Sequence, residues 1–310
     1  MSFIGNVHAR VENGPVVPSG LPLIVLLTGF TDAGGAVSGL IEQLSATTAP
    51  QPVEVFDNDV LLDYRARRPM IEFDQDHLTG YHPARLELSL AHDALGQPFL
   101  TLTGYEPDFA WNAFAQAVLD LAAEFEVSGV TWVHAIPMPV PHTRPIGTTV
   151  SGNRRDLTVA HSVWRPRTNA PATAGHLLEY RFSERGDRVV GFVLLVPHYL
   201  ADTEYPDAMI VAADRVMSAS GLVLRMDEVQ DRRDEYLGRV NDQVHGNDEL
   251  MQMVHTLENR YDAYMAGRDP EDVDEGAFDE RDLPSADEIA AELERYLASR
   301  PSGDDEQKRG

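Results

Sequence analysis

One stretch decides the fold: Leu23-Ile-Val-Leu-Leu-Thr-Gly-Phe-Thr-Asp-Ala-Gly-Gly-Ala-Val37. Its first five residues are a continuous β-rich apolar run, which is typical of a strand buried on both faces of a parallel sheet. Glycines then mark a tight turn, and apolar residues at helical spacing follow from Val37 to Leu44. A strand, a glycine turn and a helix in this order predict the start of a βαβ unit.

Asp32 is the one charged side chain in this turn, so it is the first candidate for a functional residue. Open α/β sheets bind ligands at the carboxyl ends of their strands, and the turn lies at such an end. The glycine spacing matches neither the dinucleotide fingerprint nor the phosphate-binding loop, which also needs a lysine that is absent here. The alternative role for Asp32 is to cap the helix that begins after it.

Strands alternate with helices along the first 225 residues. Strands are predicted at 53–56, 70–73, 85–90, 99–102, 130–136 and 189–196, and helices at 37–44, 111–125, 175–184 and 207–219. Prolines from position 137 onward are expected to end the strand at 136, and residues 157–164 fit no single pattern. This alternation predicts a doubly wound α/β domain over residues 1–225.

The remainder of the chain has a different pattern. Residues 226–299 are predicted to hold two amphipathic helices broken at Gly246, an acidic linker over 268–282 and a short helix that begins at a capping box, Ser285-Ala-Asp-Glu288. Residues 300–310 are expected to be disordered. This part is predicted to be a helical appendage, with the two long helices packed on the sheet domain.

Charge and composition exclude several classes of function. The net charge of −25 leaves no basic face for nucleic acid and disfavours anionic membrane surfaces. The absence of cysteine excludes disulfides and thiolate chemistry. The start of the chain has no signal-peptide pattern, and no apolar run approaches ~20 residues. We therefore expect a cytoplasmic protein that binds neither nucleic acid nor membranes.

Ionisable side chains follow four predicted strands at the point where each strand ends. Asp32 follows the first strand, Glu106 follows 99–102, His142 and Arg144 follow 130–136, and His198 follows 189–196. These ends meet at one edge of a parallel sheet, so the residues are expected to line a polar pocket. The candidates for acid–base catalysis are Asp32, Glu106, His142 and His198, and Arg144 is the candidate for holding an anion.

Each candidate also has a structural interpretation. Glu106 can cap the next helix, as Asp32 can cap the first. His142 and Arg144 lie in a proline-stiffened loop, where hydrogen bonds or ion pairs could fix the loop, and His198 with Tyr199 can anchor a turn. His134, within a strand, is expected to be a satisfied core residue. No serine lies in a nucleophile elbow and no metal-ligand spacing is present, so neither a metal nor a cofactor is expected.

Four segments together resemble a known family. They are Gly29-Phe-Thr-Asp-Ala-Gly34, Gly104-Tyr-Glu-Pro107 with Trp111, Pro137-Met-Pro-Val-Pro-His-Thr-Arg-Pro145, and Val196-Pro-His-Tyr-Leu-Ala201. In this order they resemble the proteasome assembly chaperone family of the second-chaperone type, in its bacterial form. The resemblance implies a three-layer α/β/α sandwich of the nucleoside-phosphorylase type with a mostly parallel sheet, often oligomeric and without an agreed enzymatic activity.

The chain departs from the wider chaperone group at its end. Eukaryotic members dock on the proteasome through a hydrophobic-Tyr-x carboxyl terminus, whereas this sequence ends Glu306-Gln-Lys-Arg-Gly310. The resemblance therefore does not imply docking by that route. The candidate ligand-binding set, taken from these segments and the strand ends, is Asp32, Glu106, Trp111, His142, Thr143, Arg144, His198 and Tyr199.

Two classes of function remain open. The first is a chaperone-like or protein-interaction protein, expected to be a dimer or trimer, that keeps a polar pocket at its strand ends. The alternative is an enzyme, a hydrolase or a nucleoside phosphorylase-like transferase that acts on a small polar or anionic substrate. A module that binds a small molecule without turnover is a third possibility.

Overall fold

The apolar run at residues 23–27 becomes a central strand. In the computed structural model, β2 (Pro22–Thr28) lies between β7 (Pro98–Tyr105) and β8 (Gly129–Met138) and is parallel to both. Its side chains alternate between two separate apolar clusters, Leu23 and Val25 in one and Ile24 and Leu26 in the other. The strand is therefore buried on both faces, as its composition predicts.

The other strands of the described residues are β1 (His8–Arg10), β3 (Gln51–Phe56), β4 (Met70–Asp74), β5 (His77–His82), β6 (Leu86–His92), β9 (Gly147–Gly152) and β10 (Val189–Pro197). In this part of the chain, eight strands form one large sheet in the order β1-β3-β6-β7-β2-β8-β10-β9. The central four, β7, β2, β8 and β10, are parallel neighbours, and antiparallel strands extend the sheet on both sides.

Helices cover both faces of this sheet, so the molecule has three layers. The helices of the described residues are α1 (Ala36–Thr48), α2 (Asn58–Leu61), α3 (Trp111–Glu124), α4 (Arg155–His161), α5 (Ala174–Arg185), α6 (Pro206–Ser220), α7 (Asp227–His245) and α8 (Asp248–Ala266). One apolar cluster joins α1, α4, α6 and α7 to the sheet, and the other joins α3 and α5. The predicted α/β/α fold class is confirmed, and the C-terminal part of the chain contains helices as predicted.

The turn after β2 requires glycine at position 34. Gly34 has φ +70°, a left-handed conformation that side chains disfavour. A Cβ atom there would also lie 3.1 Å from the Cβ atoms of Tyr205 and Ala208. The backbone of the turn bonds across to the loop after β10, since Gly34 N–H donates to the Ala201 carbonyl at 2.7 Å. Gly34 therefore allows two strand-end loops to pack closely together.

The structure corrects or adds four details of the predicted elements. Strand β8 continues to Met138 although it contains Pro137. Its pairing with β2 ends at Val133, so the missing N–H of Pro137 removes no hydrogen bond between these two strands. Residues 155–161 form a helix, and β9, which the sequence did not predict, pairs antiparallel with β10. The strand predicted at 70–73 lies outside the large sheet, where β4 pairs only with β5.

The structure describes residues 7–165 and 167–267. Of these, residues 7–165 and 169–263 lie in one compact unit; the other unit, which comprises 166–168 and 264–310, is described only at 167–168 and 264–267. The predicted acidic linker, the helix expected from Ser285 and the tail at 300–310 lie outside the described residues. The predicted division of the chain at residue 225 stays a prediction.

Candidate functional site

The carboxyl ends of β7, β2, β8 and β10 lie along one edge of the sheet, because these neighbouring strands are parallel. We call this margin the strand-end edge. Hydrogen bonds join its loops directly: Glu106 N–H donates to the Thr28 carbonyl at 2.7 Å, and the Thr31 hydroxyl donates to the Ala135 carbonyl at 3.1 Å. Hydrogen bonds therefore connect the loops of this edge to one another.

Asp32 holds the start of α1. Its Oδ1 accepts from the Val37 N–H at 2.7 Å, and its Oδ2 accepts from the Ser38 N–H at 2.9 Å. The first N–H groups of a helix have no partner within the helix and carry partial positive charge, so a carboxylate stabilises them. Asp32 thus makes the contacts of a helix cap.

Glu106 connects three segments. Its Oε2 accepts from the Phe30 N–H at 3.2 Å, and its Oε1 accepts from the Ala174 N–H at the start of α5 at 2.5 Å. Near the same loop, Trp111 donates from its indole nitrogen to the Pro107 carbonyl at 2.6 Å. This carboxylate therefore joins the end of β7 to the turn after β2 and to a helix on one face of the sheet.

His142 is buried and fully bonded at the far side of the edge. The Tyr199 hydroxyl accepts from the His142 backbone N–H and bonds its ring Nδ1, each at 2.7 Å, while Nε2 lies 3.1 Å from Asn241 Oδ1 on α7. All three hydrogen bonds form when the His142 ring carries its proton on Nε2 and the Tyr199 hydroxyl donates to Nδ1. Burial raises the pKa of Tyr199 to about 12, so its hydroxyl keeps its proton at neutral pH.

Thr143 and Arg144 connect the same loop to α8. Arg144 donates to both carboxylate oxygens of Asp262, at 2.8 and 2.7 Å, and lies 3.3 Å from Glu258. The Thr143 hydroxyl donates to Glu258 at 2.5 Å. The hydrogen bond from Thr143, with the Arg144 charge, lowers the pKa of Glu258, and Arg144 lowers that of Asp262. A guanidinium held in this way already has carboxylate partners within the chain.

His198 lies at the surface after β10. Its ring is exposed and packs edge-on against Tyr199, with centroids 5.4 Å apart. The predicted residues therefore separate into two groups. One group lies together beside α7 and α8 and comprises His142, Thr143, Arg144, His198 and Tyr199. In the other, Asp32 and Glu106 each bond to backbone at a helix start, and Trp111 bonds to Pro107 next to Glu106.

A buried polar cluster beneath α5 was not among the predicted site residues. His134 is only 6% exposed, and its Nε2 lies 3.0 Å from the Thr31 hydroxyl. Burial, with the His176 ring nearby, lowers the pKa of His134 to about 4. Trp132 and Ser151 both donate to Glu179, at 2.7 and 2.8 Å, and burial raises the pKa of this carboxyl. His134 is satisfied within the core, as its place in a strand predicts.

A small cavity lies between this cluster and Glu106. Its volume is about 10 Å³, which is room for about one water molecule. Its lining includes Phe30, Glu106, His134 and Thr173. Pockets for drug-sized ligands measure roughly 300 Å³ or more. This cavity therefore fits a water or an ion-sized group in the present conformation.

Two features are absent from the described residues. No group of three or more His, Cys, Asp or Glu side chains within 7–165 and 167–267 has the arrangement of a metal site. Among the same residues, no helix is long and apolar enough to cross a membrane.

The fold and its strand-end edge define an α/β/α protein whose polar strand-end loops are bonded to one another. The PAC2 family model matches residues 26–244. The chain therefore belongs to the PAC2 family, which confirms the resemblance seen in its motifs. Among curated proteins, none matches this chain at a significant level.

Several solved structures share the fold of this chain. A protein of unknown function from Corynebacterium glutamicum is 31% identical, with 84% of this chain and 99% of that one covered and a TM-score of 0.81. A Mycobacterium tuberculosis protein of unknown function is 36% identical, with 84% and 92% covered and a TM-score of 0.77. A proteasome-assembly chaperone homologue from Mycobacterium tuberculosis is 19% identical, with 76% and 100% covered and a TM-score of 0.69, and shares the fold.

Proposed function

We propose that the protein is a chaperone-like protein of the PAC2 family that acts by binding another protein at its strand-end edge. Membership of the family and the shared fold of a proteasome-assembly chaperone homologue support this function and make a proteasome subunit the first partner to test. We further propose that it works as a cytoplasmic homo-oligomer.

The observation that carries the proposal is a set of three exposed apolar side chains on loops of this edge. Phe30, Val60 and Phe109 are 63%, 40% and 50% exposed. Two bonds bring their segments together, since Phe30 N–H donates to Glu106 and Phe109 N–H donates to the Leu61 carbonyl at 3.3 Å. We call these three residues the apolar rim. Exposed aromatic side chains beside bonded loops favour contact with a protein surface.

The polar residues of the edge support the same function. Asp32 and Glu106 use both carboxylate oxygens on backbone N–H groups, and Arg144 is paired with Asp262. Groups held in this way stabilise loops, and a rigid surface loses less entropy when it binds a partner. The bonded loops thus serve as the support on which the apolar rim is presented.

The test is assembly of proteasome subunits from the source organism in the presence of the full chain. We expect the wild-type protein to bind these subunits and to change their assembly rate, as followed by native mass spectrometry. The double variant Phe30→Ser/Phe109→Ser should weaken binding at least about tenfold, since buried aromatic anchors dominate interfaces. Val159→Ser removes a residue that is 65% exposed on α4 and is the matched control. Failure of the wild-type chain to bind the subunits would overturn the proposal.

The second candidate is the enzyme, a hydrolase or nucleoside phosphorylase-like transferase. The cavity beside Glu106 and buried His134 is the observation in its favour, although it holds only about 10 Å³. A thermal-shift screen of nucleosides, phosphosugars and small acids tests it, because a ligand at 100 times its Kd stabilises a protein by about 2.7 kcal/mol. The absence of any shift across the screen would remove this candidate and the ligand-binding module with it.

A further inference from the structure

Helices α4 and α6 meet near the end of the sheet that is opposite the strand-end edge. Gly152, the last residue of β9, pairs with Val190 near the start of β10, so the chain enters α4 at the amino end of β10. The two helices are bonded there, with His161 Nε2 on α4 2.9 Å from the hydroxyl oxygen of Ser218 on α6. We call the surface formed by His161, Ser218 and Arg215 the α4–α6 corner.

Arg215 lies on α6 beside the histidine of this corner. It is three residues before Ser218, so the two side chains are neighbours on one helix face. Burial, together with the positive charge of Arg215, lowers the pKa of His161. The guanidinium and the imidazole are therefore close enough for the charge of one to act on the other.

The guanidinium of Arg215 has no acceptor within residues 7–165 and 167–267. Its Nε is buried and makes no hydrogen bond. Burial lowers the pKa of Arg215, and Asp214, the next residue in the chain, opposes this effect through its charge without forming an ion pair. A guanidinium carries five N–H donors, and a buried donor without a partner is unfavourable. Arg215 is therefore a cation that lacks a partner.

Other arginines in similar surroundings are paired. Three further arginines in the described part of the chain are partly buried, and each forms an ion pair with an aspartate: Arg67 with Asp108, Arg144 with Asp262 and Arg154 with Asp156. Acidic side chains outnumber Lys and Arg by 50 to 25 in this sequence, so carboxylate partners are abundant. Arg215 differs from these three arginines because its partner is missing.

His161 supplies a second donor to the corner. When the Ser218 hydroxyl donates to Nε2, the ring carries its proton on Nδ1, which bonds to no residue of the described chain. The carbonyl groups at the end of α6 disfavour an anion, but Arg154 donates to one of them, that of Ala219, at 3.3 Å. Arg154 also pairs with Asp156, so the charge of this exposed carboxylate is compensated.

We propose that the α4–α6 corner binds a phosphate group, as inorganic phosphate or as part of a small phosphomonoester, between Arg215 and His161. A guanidinium donates two parallel N–H bonds to such an oxyanion, and the Nδ1–H of the imidazole donates to a further oxygen. The bound group thus gives Arg215 the acceptors that the chain does not provide. A net charge of −25 repels small anions from the molecule as a whole, so their binding requires a local site of this kind.

Titration of the full chain with inorganic phosphate at constant ionic strength tests the proposal. The ring nitrogen NMR signals of His161, assigned with His161→Gln, should shift and saturate at one phosphate per chain. Arg215→Met keeps the apolar stem and should weaken binding at least about tenfold, because it removes the charge-assisted hydrogen bonds. Arg188→Met removes the same charge from an exposed position at the amino end of β10 and should leave the affinity unchanged.

Stability separates a binding role of Arg215 from a purely structural one. Without phosphate, Arg215→Met should melt at or above the temperature of the wild type, since the arginine makes no hydrogen bond that the variant loses. Addition of phosphate should raise the melting temperature of the wild type and not that of the variant. A variant that melts lower than the wild type in phosphate-free buffer and still binds phosphate normally would overturn the proposal.

Glycerol phosphate, titrated in the same way, distinguishes the two sources of the phosphate group. Tighter binding than that of inorganic phosphate identifies a phosphomonoester, and weaker binding identifies the free ion. Absence of saturation with both compounds, or equal affinities of wild type and Arg215→Met, would overturn the proposal. The test is independent of the proposed function, since Arg215→Met should keep the partner that variants of the apolar rim lose. A ligand-induced shift that Arg215→Met abolishes also belongs to this corner and not to the cavity beside Glu106.

Discussion

Asp32 and Glu106 illustrate how ionisable residues at strand ends can serve the fold. Both carboxylates accept two backbone N–H bonds, and each pair includes an N–H group from the start of a helix. A helix start attracts negative charge because its first N–H groups are unpaired. The residue types that suggest an active site in a sequence are therefore the same types that hold α1 and α5 against the sheet.

We expect Asp32→Ala to lower the free energy of unfolding by about 1 kcal/mol, since it leaves the Val37 and Ser38 N–H groups without their acceptor. Asp32→Asn keeps one acceptor oxygen and should lose less. Urea unfolding followed by circular dichroism measures both. Glu42→Gln, an exposed charge removed from the same helix, is the control; an Asp32→Ala protein as stable as this control would contradict the capping role.

Buried His134 should make the protein sensitive to mild acid. Its pKa is about 4 in the folded chain because of burial and the neighbouring His176. The unfolded chain takes up the proton near pH 6.5, so stability is lost as pH falls from about 6.5 to about 4, by up to roughly 3 kcal/mol. His134→Gln should flatten this part of the profile, whereas His92→Gln, at an exposed position, should not. Equal slopes for the two variants would contradict the assignment.

At the scale of elements, the 141–145 loop is tied to the two C-terminal helices by side chains. His142 reaches α7 through Asn241, and Arg144 reaches α8 through Asp262. Tyr199, beside β10, supports the loop through two bonds to His142. The loop therefore joins the sheet to both helices.

Tyr199→Phe should destabilise the protein by about 1 to 3 kcal/mol, because it leaves the backbone N–H and ring nitrogen of buried His142 without a partner. Hydrogen exchange should become faster in α7 and in the loop and remain unchanged in α3, on the other face. Tyr180→Phe, at a position on α5 that is 61% exposed, is the matched control. Wild-type stability of Tyr199→Phe would contradict the role given to this hydroxyl.

The large elements could be predicted because their signals are local. Continuous apolar runs predicted β2, β8 and β10, and helical spacing predicted α3 and α6. Strand β9 was missed because it is a short edge strand rich in Thr, Ser and Gly. Its pairing with β10 is set by tertiary contacts. The partners of Arg144 were missed for a related reason. Glu258 and Asp262 are spaced for one helix face, but they lie 114 and 118 residues away in the chain.

For the whole molecule, net charge is the largest electrostatic feature. With a net charge of −25, the negative side chains repel one another in the compact state, and this repulsion favours expansion of the chain. Salt screens such long-range repulsion, with a Debye length of about 10 Å at 0.1 M. Short ion pairs of the strand-end edge, such as Arg144 with Asp262, act locally and in the opposite direction.

We therefore expect the melting temperature to rise between low salt and about 0.15 M sodium chloride, where the Debye length is about 8 Å. For a chain of this size, about 1 kcal/mol corresponds to roughly 2–4 °C. Differential scanning calorimetry measures the shift, and an equal osmolality of glycerol controls for general solute effects. A fall in the melting temperature with salt would show that local ion pairs outweigh the net repulsion.

The place of β2 in the sheet has a consequence for synthesis of the chain. Its two neighbours come much later, since Leu23 pairs with Leu100 on one side and Val130 on the other. Leu100, in the nearer of the two, is 77 residues further along the chain (100 − 23), and at ribosomal rates of about 5–20 residues per second it takes roughly 4 to 15 s to emerge. Through that interval β2, an apolar segment that becomes a central strand of the folded sheet, has no neighbouring strand with which to pair. A protein that we propose as a chaperone thus exposes, during its own synthesis, an apolar segment of the kind that chaperones bind.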